Sequence, residues 1–231
     1  MQEQIQIRSG IRVGRWRVAA LLGSPVLFLL HAETPWALAL WGGDASRFYE
    51  FWGGILLLHL ATTTLVFWFL KSEGLTRKDI GLASSGTALA VSIAGLCAAG
   101  LIATIARELS GYASVDTLGL QAAYPAEREQ RVFWIALSLS AGFCEEIVYR
   151  GFLIRALQGQ GMPLLGAVAL SSIAFATIHG LWSWEYFGAT ALAGGLFAAL
   201  FLATRRLLPV ILIHASIDLL QILELDALFG S

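Results

Sequence analysis

The feature that most constrains this chain is a succession of apolar runs: Phe51–Leu70, Thr87–Ala106, Val132–Ile154, Leu164–Trp182, Tyr186–Thr204 and Leu207–Leu225. At ~1.5 Å per residue each is long enough to cross ~30 Å of hydrocarbon as a helix. Residues 18–41 form a further run that follows the polar segment bearing Arg8, Arg12, Arg15 and Arg17, and Pro25, His31, Glu33 and Pro35 interrupt it. It reads as one kinked span or signal anchor, because no small-x-small cleavage site follows. Inside a bilayer every backbone polar group must be satisfied within the chain, so these runs predict an all-α, polytopic transmembrane helical bundle of about seven spans. A hydrophobic content of 57% against 13% charged residues excludes an ordinary soluble domain.

Residues 1–17 are expected to be a cytoplasmic tail, 18–131 the N-terminal transmembrane helices and 132–231 a helical core carrying the chemistry. With the N-terminus inside, the cytoplasmic segments hold Arg8, Arg12, Arg15, Arg17, Lys71, Arg77, Lys78, Arg155, Arg205 and Arg206. The opposite segments hold Arg47, Arg107, Arg128 and Arg131. This bias predicts an N-in, C-out, multi-pass integral membrane protein, of the plasma (inner) membrane if bacterial. A net charge of −1 and the lack of a basic run argue against a nucleic-acid partner and leave the lipid bilayer as the expected environment. Cys97 and Cys144 lie singly in apolar runs, without the spacing of a disulfide framework or a zinc knuckle. Gly53-Gly54, Gly95, Gly100 and Gly194-Gly195 are read as points of close helix approach, and Trp182, Trp184 and Tyr186 as interfacial aromatics.

Against that background, Cys144-Glu145-Glu146-Ile147-Val148-Tyr149-Arg150 stands out. A carboxylate at the centre of a bilayer costs at least ~2.5–3.5 kcal/mol on insertion scales, so intramembrane acids point to function. Glu146 and Arg150 are four apart and share a helix face, whereas Glu145 points ~100° away and is left free. Two later runs also carry ionisable groups, Phe175-Ala176-Thr177-Ile178-His179 and His214-Ala215-Ser216-Ile217-Asp218, the latter with Gln221 on the same stripe. Counted from the cytoplasmic ends of their runs, Glu145 lies ~15 Å deep, His214 ~10 Å and His179 ~22 Å, a spread of about two helical turns. His59, beside Thr62 and Thr63, reads as a helix-to-helix hydrogen bond. Cys144 as a nucleophile is disfavoured by its apolar surroundings and the adjacent carboxylate. A carboxylate, two histidines and a second acid on three helices offer a base for water and donors for an oxyanion.

These motifs resemble those of the CPBP family of intramembrane proteases, which includes the CAAX prenyl-protein endopeptidases and bacteriocin-processing or immunity proteins. The Glu-Glu-x-x-x-Arg, Phe-x-x-x-His and His-x-x-x-Asn/Asp patterns fall at Glu145-Glu146 with Arg150, Phe175 with His179, and His214 with Asp218, over about residues 132–221. The resemblance implies that Glu145 is the base for water and that His179 helps to hold that water. It implies that His214 and Asp218 stabilise the oxyanion, and that Arg150 paired with Glu146 fixes the helix. Asp218 stands where the best-known members carry Asn. An ionised Asp cannot donate to an oxyanion, so Asp218 must be protonated or act on His214.

The implied activity is a glutamate-type, metal-independent endopeptidase that cuts a membrane-anchored or lipidated protein substrate. Two histidines and a glutamate are also a zinc donor set, which makes Zn²⁺ the minority alternative to no cofactor. No His-Glu-x-x-His sequence is present. Readings from other classes are a proton-coupled transporter, against which no inverted repeat stands out, and a non-catalytic immunity protein on the same scaffold.

Overall fold

The computed structural model describes residues 10–82, 123–179 and 184–229, and among them the regular structure is helical throughout. Helix α1 covers Arg15–Ala32 and α2 covers Pro35–Trp41. They are joined at a 66° bend, so the expected break in 18–41 falls at Glu33–Thr34 and not at Pro25. Pro25 deprives the Leu21 carbonyl of its helical donor. The Ser24 hydroxyl donates to that carbonyl at 2.7 Å instead, and the helix continues.

Helix α3 covers Phe48–Ser72. Helix α4, Arg128–Glu145, passes into a wide-turned π segment, Glu146–Leu153, and then into α5, Ile154–Gly159. Together they form one 32-residue span, Arg128–Gly159, longer at both ends than the expected Val132–Ile154. Helix α6, Leu164–Ile178, stops short of the expected Trp182, although residues 180–183 lie outside the described set. Helices α7, Trp184–Thr204, and α8, Leu207–Phe229, complete the chain. The expected span Thr87–Ala106, with Cys97, Gly95 and Gly100, lies outside the described residues.

Among the described residues, Ala45–Ser72, Arg128–Gly159 and Tyr186–Thr204 are each long and apolar enough to cross a membrane. The bent pair α1–α2 passes the same test when taken together, and Leu164–Ile178 and Leu207–Leu219 are shorter apolar stretches. Leu57, Leu165, Leu192 and Leu196 point outward, as the lipid-facing side of a bundle requires.

Helix α4 packs against α3 and α8, and α6 packs between α1 and α7. Ile147, Phe152, Leu153, Phe175, Phe201 and Leu207 pack in the core with Leu21 of α1 and Val66 and Phe69 of α3. The α4–α8 contact is close because of Gly142. A Cβ there would lie 2.8 Å from the Ala215 nitrogen and 2.9 Å from the Ile211 carbonyl oxygen. Small residues of this kind let backbones approach without a side chain between them. Gly142 is one turn before Glu145, and Ala215 follows His214, so this approach brings the two polar helices together.

One end of the bundle is tied by several contacts. The Ile11 amide donates to the Arg155 carbonyl at 3.1 Å, and Gln160 Nε2 donates to the Val13 carbonyl at 2.6 Å. Arg17 pairs with Glu73, Arg155 donates to the Asp79 carbonyl at 2.6 Å, and the Leu207 amide donates to the Gly81 carbonyl at 3.0 Å. Arg17, Arg155 and the 76–82 segment that bears Arg77 and Lys78 therefore gather at the same end.

Candidate active site

Glu145 is the last residue of α4 and Glu146 opens the π segment, so the change in helical winding falls at the paired acids. Wide turns of this kind within α-helices are frequent at functional sites. Both acids are buried, as is Arg150. Arg150 Nη1 donates to Glu146 Oε1 at 2.9 Å, and Nη2 donates to the Gly194 carbonyl at 3.2 Å. Its guanidinium lies 4.1 Å from the centroid of Phe175 and 5.2 Å from that of Phe197. The cation is thus held by a carboxylate, a carbonyl and two aromatic faces, which compensates its removal from water.

Glu146 does more than neutralise Arg150. His214 Nδ1–H donates to the same Oε1 at 2.8 Å. With Nδ1 committed, the His214 ring presents Nε2 toward Glu145 Oε2, at 3.9 Å, and Asp218 Oδ2, at 3.7 Å. Phe197 stacks on the ring at 5.0 Å and Phe175 meets it edge-on at 5.7 Å. The carboxylate that orients His214 is therefore Glu146. Asp218, one turn along α8, is the more distant partner.

His179 caps the C-terminal end of α6. Its Nδ1–H donates to the Phe175 carbonyl at 2.9 Å, and its ring packs on Phe175 at 4.6 Å. This hydrogen bond assigns the proton to Nδ1 and leaves the Nε2 lone pair aimed at Glu145 Oε2, 4.0 Å away. The four expected catalytic residues, Glu145, His179, His214 and Asp218, thus converge from three helices. The His179 and Asp218 side chains are 27% and 25% exposed, against 5% for Glu145 and His214, so the cluster is open on the side of His179 and Asp218.

The spread in depth expected from the sequence disappears for two reasons. The Glu145 span runs on to Gly159, and about 21 Å of helix from Glu145 to that end nearly matches about 22 Å from Leu164 to His179. Helix α8, in turn, starts inside the bundle, with Leu207 packed against Gly151. From that level, Glu145 is about 9 Å along one helix and His214 about 10 Å along the other. The runs do not share a starting surface, which is what the counting from their ends assumed.

His59, which the sequence marks as a helix-to-helix hydrogen bond without naming its partner, makes that bond from α3 to Glu145. Its Nε2–H donates to Glu145 Oε1 at 2.9 Å, and both side chains are only 5% exposed. Thr63, one turn along α3, donates to the Cys144 carbonyl at 3.5 Å. The signal was present in His59, Thr62 and Thr63, a polar patch on an apolar helix that must face protein. Cys144 is a buried free thiol whose sulfur lies 3.7 Å from the Ser140 hydroxyl.

Glu145 Oε2 has no hydrogen-bond partner among the described residues. Among those residues, no group of three or more His, Cys, Asp or Glu is arranged to hold a metal ion. Glu145 Oε1 and His214 Nδ1 are already engaged with His59 and Glu146. What the arrangement offers is one carboxylate oxygen facing two imidazole nitrogens and a second carboxyl, a setting for proton transfer to and from a bound water.

Residues 127–220 match a protein family described as type II CAAX prenyl endopeptidase Rce1-like. No curated protein and no solved structure matches the chain.

Proposed function

We propose, from the membership of residues 127–220 in the Rce1-like family of type II CAAX prenyl endopeptidases, that this integral membrane protein hydrolyses a peptide bond of a lipid-modified substrate. The observation that carries the mechanism is the Glu145 carboxylate, with Oε1 tied to His59 and Oε2 facing the Nε2 atoms of His179 and His214. In this reading Glu145 Oε2 takes a proton from water, and His179 Nε2 accepts that water's other hydrogen bond. The water oxygen bonds to the scissile carbonyl carbon. Negative charge collects on the carbonyl oxygen, where His214 as an imidazolium, with Nδ1–H on Glu146 and Nε2–H free, and the protonated Asp218 carboxyl act as donors. The proton held by Glu145 then passes to the amide nitrogen as the C–N bond breaks, and Glu145 returns to a carboxylate.

Glu146 and Arg150 hold His214 in place and do not touch the reacting atoms. The basic end of the bundle supports the N-in orientation, in which Arg17, Arg77, Lys78 and Arg155 meet the cytoplasmic side. Prenylation makes a protein tail membrane-associated, which suits a site reached from within the bundle on the side of His179 and Asp218.

The test is to reconstitute the protein in liposomes with an internally quenched, farnesylated peptide ending in Cys-aliphatic-aliphatic-X. Cleavage by the wild type, loss of it in Glu145→Gln and no cleavage of the unprenylated peptide are expected. An unchanged peptide after incubation with folded wild type would overturn this reading. Proton-driven solute uptake by the same liposomes would replace it with a transporter.

A further inference from the structure

A base that works on water must present one oxygen to it in a fixed direction. A free carboxylate rotates about its terminal torsion, which is broad and roughly two-fold. Glu145 is not free in this sense, because His59 Nε2–H holds Oε1 at 2.9 Å. Oε2 is then the oxygen left at 4.0 Å from His179 and 3.9 Å from His214. His59 is itself fixed. Its ring packs on Phe28 of α1 at 5.5 Å, and Thr63, one turn on, holds the backbone beside Glu145.

His59 also lies outside residues 127–220, on a helix that the family match does not reach. Its Nδ1 has no hydrogen-bond partner among the described residues. Among those residues the ring's hydrogen bond is to one carboxylate oxygen, Glu145 Oε1.

We infer that His59 is a positioning residue for hydrolysis, which fixes the Glu145 carboxylate so that Oε2 alone faces the water. This rests on the proteolytic reading above. His59 reaches neither substrate nor water in this arrangement and acts only through Glu145. The charged and titratable groups around the pair are His179 from α6 and His214 from α8, both facing Oε2, Asp218 beside His214, and Cys144 and Tyr149 from the span of Glu145 itself.

Three variants separate the donor from the packing, assayed in liposomes with the farnesylated quenched peptide and checked for folding by thermal melting. His59→Phe keeps a ring against Phe28 but has no N–H. His59→Gln keeps an N–H near the Nε2 position but loses the ring. His59→Leu has neither. If His59 positions Glu145, kcat should fall about 10- to 100-fold in the Phe and Leu variants, the range for a lost hydrogen bond to a charged group. KM should stay within about twofold, since the lost interaction is not one that binds substrate. His59→Gln should recover most of the wild-type kcat.

Wild-type kcat in a folded His59→Phe or His59→Leu variant would overturn the inference while leaving the proteolytic reading intact. So would a ring requirement, with Phe active and Gln inactive. Failure of the wild type itself to cut the peptide would overturn the proteolytic reading, and the inference with it.

Discussion

The Nδ1 atom of His214 lies 2.8 Å from Glu146 Oε1, the same oxygen that accepts from Arg150 at 2.9 Å. One carboxylate oxygen therefore locks two residues from two helices, and the acid beside the proposed base becomes the anchor of the proposed oxyanion donor. The paired acids divide the labour. Glu145 turns Oε2 toward His179 and His214, and Glu146 holds Arg150 and His214.

Glu145→Gln should leave the fold in place and reduce cleavage by at least ~10²-fold, the usual contribution of a general base. His59 can still hold the amide oxygen of Gln. A melting temperature near that of wild type together with lost turnover is the expected pair of measurements, and substantial residual turnover would rule out the base.

Glu146→Gln and Arg150→Lys should damage stability and activity together. Removing the Glu146 charge leaves Arg150 buried without its anion, a loss of about 3–5 kcal/mol for a broken buried pair. Lys cannot reproduce the fork that reaches Glu146 and Gly194 while lying flat on Phe175. Thermal unfolding in detergent should show both variants well below Glu145→Gln, and equal stability of all three would contradict the division of labour.

Gly142→Leu tests the helix approach. The added side chain has nowhere to go beside Ala215 and Ile211, so α4 and α8 must separate, at about 1–3 kcal/mol for an overpacked contact. Activity should fall further than stability, because the separation stretches the bond between Glu146 and His214. Gly195→Leu, at a position where an added Cβ meets nothing within 4 Å, is the control and should change little.

Asp218→Asn should retain most of the rate. The orientation of His214 is held by Glu146, and the Asn amide supplies an N–H donor at every pH. A pH–rate profile of the variant would reveal the alternative, in which Asp218 is needed as an anion beside His214. An Asn variant nearly dead at all pH values would contradict the donor role, and one whose active range shrinks from the alkaline side would point to the anion.

Strong chelators should leave cleavage of the farnesylated peptide unchanged, and the purified protein should hold less than stoichiometric zinc. Loss of activity on chelation with recovery on adding Zn²⁺ would replace water activation by Glu145 with a metal-bound hydroxide.

The helical class and most of the spans were legible because a bilayer leaves an apolar run of this length few alternatives. The Glu146–Arg150 pair was legible because a helix places residues four apart on one face, and a buried cation needs a partner nearby. The depths were not, since α8 begins beside Gly151, a fact of tertiary packing that no run boundary records. The partnership of His59 with Glu145 was equally hidden. The two residues are far apart in sequence, and a single histidine on an apolar helix does not say which neighbour it meets. The sequence left Asp218, one turn away on the same helix, as a protonated donor or as the partner of His214, and it does not reveal that Glu146 on another helix is the closer partner.

The place of His59 in the chain has a further consequence, for the order in which the protein is made. A nascent chain emerges N-terminus first, so α3 is synthesised before the span that bears Glu145, whereas His179 and His214 follow it. Of the three imidazoles that surround this acid, one is in place when the carboxylate has to leave water and two are still to come. An early chaperone for the charge is thus encoded upstream, and a chain with His59 removed should be prone to stalled insertion and degradation before any substrate is met.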